Sequence, residues 1–172
     1  MSYARLQVLG LMLLLLGLSG CNQSVEEQIA SGLQLTETVF AEEPEAYTDE
    51  IGHIQLYLPS KFNIDDSSDA YNILISKGTD SYILFINDNE KADSKLYYHL
   101  LKEDSTKKVI KESIYDKDGI FGFSAVSKTG NNDEYELIVS CGGVKMTTIS
   151  QANDIENNLH EMTKIVHSVK IK

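Results

Sequence analysis

Histidines and cysteines are the side chains most able to do chemistry in this chain, so their spacing comes first. The four histidines are His53, His99, His160 and His167. The last two are seven residues apart on a predicted C-terminal helix, whereas helical zinc pairs use a spacing of four. With no cysteine nearby in sequence, we interpret these two as solvated helix residues and predict no metal site and no cofactor.

Cys141 is the one candidate nucleophile. It shares strand parity with Tyr135, Leu137 and Val139, which places it on an apolar face, and a buried thiol is inert unless a cation lowers its pKa. The chain has no Gly-x-Ser-x-Gly elbow and no glycine-rich phosphate loop. We therefore predict no catalytic residue. A hydrolase would require distant histidines to converge on a serine or on Cys141.

Three turns are rich in acids: Asp116-Lys117-Asp118-Gly119, residues 65–69 and residues 87–90. The first begins as calcium loops do, but the later ligands and the bidentate glutamate of an EF-hand are missing. We interpret all three as solvated turns. Weak calcium binding stays open if two of them meet at one end of a sheet.

The chain opens with a secretory leader. Arg5 gives a short positive region, and an apolar run of 11 residues extends from Val8 to Leu18. A run this short predicts a cleaved signal peptide over residues 1–20, since a membrane-spanning helix needs about 20 apolar residues.

The end of the leader, Leu18-Ser19-Gly20-Cys21, resembles the lipobox of bacterial lipoproteins. The resemblance implies that signal peptidase II cuts between Gly20 and Cys21 and that the Cys21 thiol carries a diacylglycerol, with fatty acids such as palmitate. Two or three acyl chains hold a protein firmly on a membrane. The expected location is the extracytoplasmic face of the cell membrane, and the Lys- and Ile-rich composition points to a Gram-positive bacterium.

The charge of the chain excludes one class of function. Its 26 acids against 15 Lys and Arg give a formal charge of -11, which becomes -12 when Arg5 leaves with the leader. Nucleic-acid binding depends on clustered Lys and Arg, so we predict no nucleic-acid partner.

The first part of the mature chain is strongly acidic. Residues 22–50 hold eight acids and no Lys or Arg. Like charges extend a chain, so residues 21–50 are predicted to form a lipidated acidic tether that holds the domain off the bilayer. Val25, Ile29 and Leu33 would allow a short helix, which Gly32 weakens.

Residues 51–172 are predicted to form a single α+β domain. Short alternating apolar runs with turn residues between them predict a largely antiparallel sheet of about six to seven strands. A mid-chain helix would carry Leu96, Leu100 and Leu101 inward and leave either Tyr97 or Tyr98 exposed. A C-terminal helix would cover a sheet face with one apolar stripe. The positions of this stripe are Ile155, Leu159, Met162, Ile165, Val166 and Val169.

Residues 51–172 also resemble the PsbP/Mog1-like group in element order. The segments concerned are IQLYLP, the hairpin YELIVSCGGVKMTTIS, and the final NDIENNLHEMTKIVHSVKI. Members of that group are mostly non-enzymatic, so the resemblance implies a binding role. We expect an envelope lipoprotein that binds a protein partner through a sheet face or the helix around Tyr98. The alternative is a lipoprotein that binds a small ligand or a metal ion.

Overall fold

The computed structural model describes residues 23–131 and 133–172. These residues form three α-helices: α1 (Val25–Ala41), α2 (Leu96–Glu103) and α3 (Ile155–Ser168). They also form ten strands: β1 (Asp49–Ile51), β2 (Ile54–Leu56), β3 (Asn63–Ile64), β4 (Asn72–Lys77), β5 (Asp80–Ile86), β6 (Lys108–Lys117), β7 (Ile120–Lys128), β8 (Glu134–Cys141), β9 (Val144–Gln151) and β10 (Lys170–Ile171). A 3₁₀ turn, Ala152–Asp154, leads into α3.

Seven strands form the main sheet, in the order β3-β4-β5-β9-β8-β7-β6, and every neighbouring pair is antiparallel. This confirms the predicted α+β class and the predicted antiparallel sheet. A second, three-stranded sheet has the order β1-β2-β10. Strand β2 belongs to this small sheet, because Ile54 pairs with Ile171 near the end of the chain.

The inner face of the main sheet carries the larger core. One row crosses five strands through Ile75, Tyr82, Thr148, Leu137 and Val126, and all five side chains are buried. Helices α1 and α3 cover this face. The predicted stripe of α3 is confirmed, since Ile155, Leu159, Met162, Ile165 and Val166 are buried and Val169 packs beside them.

The prediction of an acidic tether is wrong for residues 25–41, which form α1 and pack into the core. Ser24 caps the helix: its Oγ accepts from the Glu27 N–H, and the Glu27 carboxylate accepts from the Ser24 N–H. This capping box is readable in the sequence. Ile29 and Leu33 are buried, and most of the acids lie on the exposed side of the helix.

Gly32, which was predicted to weaken a short helix, lies inside the 17-residue helix α1 and has a packing role there. A Cβ at this position would lie 2.8 Å from Leu159 Cδ1 and 3.0 Å from Glu156 Cα. The missing side chain therefore lets α1 approach α3 closely, and the acidic segment belongs to the domain.

Helix α2 packs on the outer face of the sheet, over a smaller cluster. Tyr98 lies across Phe121 and Phe123, with ring centroids 5.7 Å and 5.4 Å apart. Tyr97 packs against the same cluster, so the prediction that one tyrosine is exposed is wrong. Leu96 and Leu100, predicted to point inward, are 36% and 51% exposed. The larger aromatic rings occupy the space over the sheet, and of the predicted inward leucines only Leu101 is buried.

Candidate functional site

A cleft of about 340 Å³ opens where α3 ends, between the main sheet and the small sheet. Its walls are mostly apolar, and the polar atoms in it come from a few side chains. The lining residues are Pro44, Asn87, Glu90, Ala92, Ile120, Cys141, Gly143, Val144, Val166, His167, Val169, Lys170 and Ile171. A mostly apolar cleft with a few polar groups is the usual form of a small-molecule site.

One side of the cleft is held by backbone hydrogen bonds around the β8–β9 turn. The Asn87 N–H donates to the Gly143 carbonyl at 2.8 Å, and the Gly142 N–H donates to the Phe121 carbonyl at 2.9 Å. Gly142 has a φ of 52°, and a Cβ there would lie 2.6 Å from the Lys91 carbonyl oxygen. The turn therefore needs glycine both for its backbone conformation and for close packing.

His167 is half-buried in this cleft, so the prediction that it is a solvated helix residue is wrong. Burial lowers its pKa, and hydrogen bonding to the Val39 backbone and the charge of Glu43 oppose this only partly. Its Nδ1 is buried and has no hydrogen-bond partner among the residues that the structure describes. A buried polar atom without a partner costs free energy, so the packing of this ring is not free of strain.

Cys141 lies in the same cleft, at the end of β8, and packs against the inner core as its strand parity predicted. Burial raises the pKa of its thiol to about 11. Residues 23–131 and 133–172 contain no second cysteine to pair with it. The thiol is therefore protonated at neutral pH.

Cys141 and His167 are far apart in sequence, and the fold brings them to one cleft. A catalytic Cys–His pair needs a lowered thiol pKa. Burial raises the pKa of this thiol and lowers that of the imidazole, so both groups are neutral at pH 7. The arrangement favours binding of an uncharged molecule over nucleophilic attack.

The other three histidines lie elsewhere. The His53 ring is 6.2 Å from the Tyr71 ring, and His99 is exposed on α2. His160 lines a separate depression near the first turns of α1 and α3. Within the described part of the chain, no group of three or more His, Cys, Asp or Glu side chains could hold a metal ion.

The acid-rich turns form local hydrogen bonds. The Asp65 carboxylate accepts from the Ser67 N–H and hydroxyl, which lowers the pKa of Asp65. Asp116 forms an ion pair with Lys95, the residue before α2, at 2.7 Å.

Gly20 and Cys21, the predicted cleavage and lipid-attachment residues, lie outside the described residues, as does the predicted leader over 1–20. Among the helices that the structure does describe, none has the length and apolarity to cross a bilayer.

The fold and the cleft define a small α+β domain built on an antiparallel sheet. No protein-family model matches the chain, and no curated protein matches it significantly. In structure the chain is similar to cyanobacterial PsbP (CyanoP) from Synechocystis sp. PCC 6803, with a TM-score of 0.44 and 13% sequence identity. The match covers 74% of this chain and 92% of CyanoP. CyanoP is a PsbP protein, and residues 51–172 resemble the PsbP/Mog1-like group in sequence order. At this TM-score the likeness assigns neither a family nor a function.

Proposed function

We propose that the chain is a membrane-anchored extracytoplasmic lipoprotein that binds a protein partner and is not an enzyme. Lipid on Cys21 is its anchor, and the cell membrane of a Gram-positive bacterium is its proposed location. The lipobox supports the anchor. The neutral Cys141 and His167 support a binding role over catalysis.

The position of α1 sets how such an anchor would orient the domain. Ser24, which caps α1, is three residues after Cys21, so at most about 11 Å of extended chain separates them. The domain would lie close to the bilayer instead of at the end of a long tether.

Helices α1 and α3 run in the same direction. Near their first turns the Glu156 N–H approaches Gln28 Oε1, and near their last turns Phe40 meets His167. Helix α1 has 17 residues, so its last turn lies about 25 Å beyond its first. The cleft would therefore face away from the membrane.

The partner-binding proposal rests on the exposed outer face of β4, β5 and β9, which we call the open sheet face. Leu74, Ile83 and Thr147 form one row across it, and Ile149 lies two residues beyond Thr147. Ile83 and Ile149 are 37% and 51% exposed.

Charge on the open sheet face is sparse. The side chains that point outward from the three strands include no Asp or Glu, although the chain has 26 acids. Exposed apolar surface with a polar rim is typical of protein interfaces. A nearly uncharged face with exposed apolar side chains, on an acidic protein, favours a protein partner over a small ligand.

Recovery of a partner from solubilised membranes tests this proposal. Pull-down of the lipidated protein should bring down one partner protein in stoichiometric amount. Ile149→Lys should abolish this recovery, because it places a charge on the open sheet face. Ile110→Lys is the matched control, since Ile110 is 48% exposed on the edge strand β6. Equal recovery by the wild type and Ile149→Lys would contradict the proposed surface.

A second candidate function is binding of a small ligand, and the cleft at Cys141 and His167 favours it. The metal-ion form of this alternative has no set of ligands in the described part of the chain to support it.

A further inference from the structure

We infer that the partner of the open sheet face presents a carboxylate to Lys145 of β9, from an acidic residue with aliphatic neighbours. The inference rests on the proposed function, because it names the chemistry by which that same face recognises its partner.

Lys145 is the one charged group among the described side chains of the open sheet face. It points outward from β9, because Val144 and Met146 on either side of it are buried in the inner face. The other outward side chains of β4, β5 and β9 are uncharged. On a chain with 26 acids, this face therefore offers a single positive charge within an apolar and polar surface.

Two aromatic rings flank the Lys145 ammonium group. Its Nζ lies 4.7 Å from the centroid of the Phe85 ring of β5 and 4.9 Å from the centroid of the Tyr97 ring of α2. Ring faces attract a cation within about 6 Å, so the two rings hold the side chain in place. They carry no negative charge, and the positive charge of Lys145 is left for a partner to neutralise.

Lys145 lacks a carboxylate partner within the part of the chain that the structure describes, unlike two lysines near it. Lys107 donates to Glu136 at 2.6 Å, and Lys102 donates to Glu112 at 3.1 Å. Lys145 has neither an ion pair nor a hydrogen bond from its Nζ to any described residue. The side chain is only half-buried and its Nζ is open to solvent, so an incoming carboxylate can reach it.

The surroundings of Lys145 disfavour its charged form in the free protein. Burial lowers the pKa of Lys145 and the positive charge of Lys107 lowers it further, while Glu136 opposes both only partly. A carboxylate bound to Nζ would offset this loss of hydration, because hydrogen bonds between ionised groups are the strong ones.

The charges of the face disfavour a second copy of this chain as the occupant. Two open sheet faces packed together would bring two Lys145 groups into one interface with no acid between them, and like charges suppress such a pairing.

The apolar side chains beside Lys145 favour a protein segment over a small free anion. Ile83 lies two residues from Phe85 on the same side of β5, at about 7 Å along the strand. A small anion would contact Nζ alone, whereas a protein segment also covers the exposed Ile83 and Ile149. The occupant is therefore another protein, in which an Asp or Glu has aliphatic side chains beside it.

A zero-length cross-link tests for the carboxylate directly. The lipidated protein is pulled down from solubilised membranes and treated with a carbodiimide, which joins a lysine amine to a carboxylate in contact with it. Mass spectrometry should find Lys145 joined to an Asp or Glu of the recovered protein. Absence of a link at Lys145, or a link from Lys145 to a second copy of this chain, would overturn the inference.

Three variants separate the charge of Lys145 from its packing. Lys145→Arg keeps the charge but has no amine, so it should recover the partner and give no link at position 145. Lys145→Met keeps an unbranched side chain between the rings. It should lower recovery at least about tenfold, because the partner's carboxylate loses its opposite charge. Lys128→Met, at an exposed position on β7, is the matched control and should recover as much partner as the wild type.

The inference and the proposed function fail separately. If Ile149→Lys abolishes recovery and Lys145→Met leaves it at the wild-type level, the open sheet face binds a partner without a carboxylate contact, and the inference alone is wrong. If the wild type recovers no protein, the proposed function is wrong and the carboxylate site with it.

Discussion

The Phe40 ring of α1 meets the His167 imidazole of α3 nearly edge-on, with ring centroids 5.5 Å apart and planes inclined at 74°. Phe40 also packs against Tyr115 of β6, with ring centroids 5.8 Å apart. This contact ties the first helix to the last beside the cleft. It also removes much of the water around the imidazole, which is the main cause of its lowered pKa.

The burial of the His167 imidazole predicts how the stability of the protein depends on pH. The unfolded chain protonates His167 near pH 6.5, whereas the folded protein resists protonation until a lower pH. The unfolded state therefore binds more protons in this window, and the free energy of unfolding falls as the pH drops below about 6.5. Above that pH the effect is absent.

Urea unfolding between pH 5 and 7.5 measures this dependence. His167→Phe should have a flatter profile than the wild type, and His160→Phe should keep the wild-type slope. Identical slopes in the wild type and His167→Phe would contradict the burial of the imidazole.

Gly32 tests whether α1 is docked. Gly32→Leu would force a side chain into Leu159 and the Glu156 backbone, and overpacking of this kind costs about 1–3 kcal/mol. Gln34→Leu, two residues along on the exposed side of the same helix, should change the free energy of unfolding by less than about 0.5 kcal/mol. Chemical denaturation measures both. If residues 25–41 were a tether, neither substitution would matter.

Asn158 holds a buried polar network together. Its Oδ1 accepts from the Tyr82 hydroxyl at 2.9 Å and from Lys77 Nζ at 3.2 Å, and its Nδ2 donates to Ser150 Oγ at 3.0 Å. Asn158→Ala should cost about 2–3 kcal/mol, because it leaves the buried Tyr82 hydroxyl without its partner. The neighbouring exposed Asn157→Ala should be nearly neutral by the same denaturation measurement, and equal losses would argue against the network.

Cys141 should be slow to alkylate. A pKa of about 11 in place of the ordinary 9.0 leaves about one hundredth of the thiolate at neutral pH. Iodoacetamide at pH 7.5 should therefore modify folded protein about 100-fold more slowly than protein in urea, as mass spectrometry would show. Comparable rates in the two states would mean that the thiol is not buried.

The proposed lipid anchor depends on Cys21. Cys21→Ser should block lipid transfer and cleavage, so that the precursor accumulates with its leader attached, while Cys141→Ser should be processed normally. Labelling with radioactive palmitate and the intact mass of the protein distinguish these outcomes. A Cys21→Ser protein that is cut and labelled like the wild type would remove the lipoprotein proposal.

The sequence by itself determined the class of fold, because strand alternation and the α3 stripe are local patterns that a single segment displays. Ile155, Leu159 and Met162 repeat at helical spacing whatever they pack against, and all three are buried as predicted. The Ser24–Glu27 capping box is equally local, and with it α1 could have been predicted in place of a tether.

Only the tertiary structure decided which helix faces are inner and which groups share a site. On α2, whether Leu100 or Tyr98 points inward depends on the space left by Phe121 and Phe123 of β7. The cleft depends on contacts between residues far apart in the chain, because residues 87, 141 and 167 meet through strand order and helix docking. The spacing of His160 and His167 is the same whether His167 is solvated or lines a cleft. Only its burial against Phe40, which the sequence does not show, decides between these two interpretations.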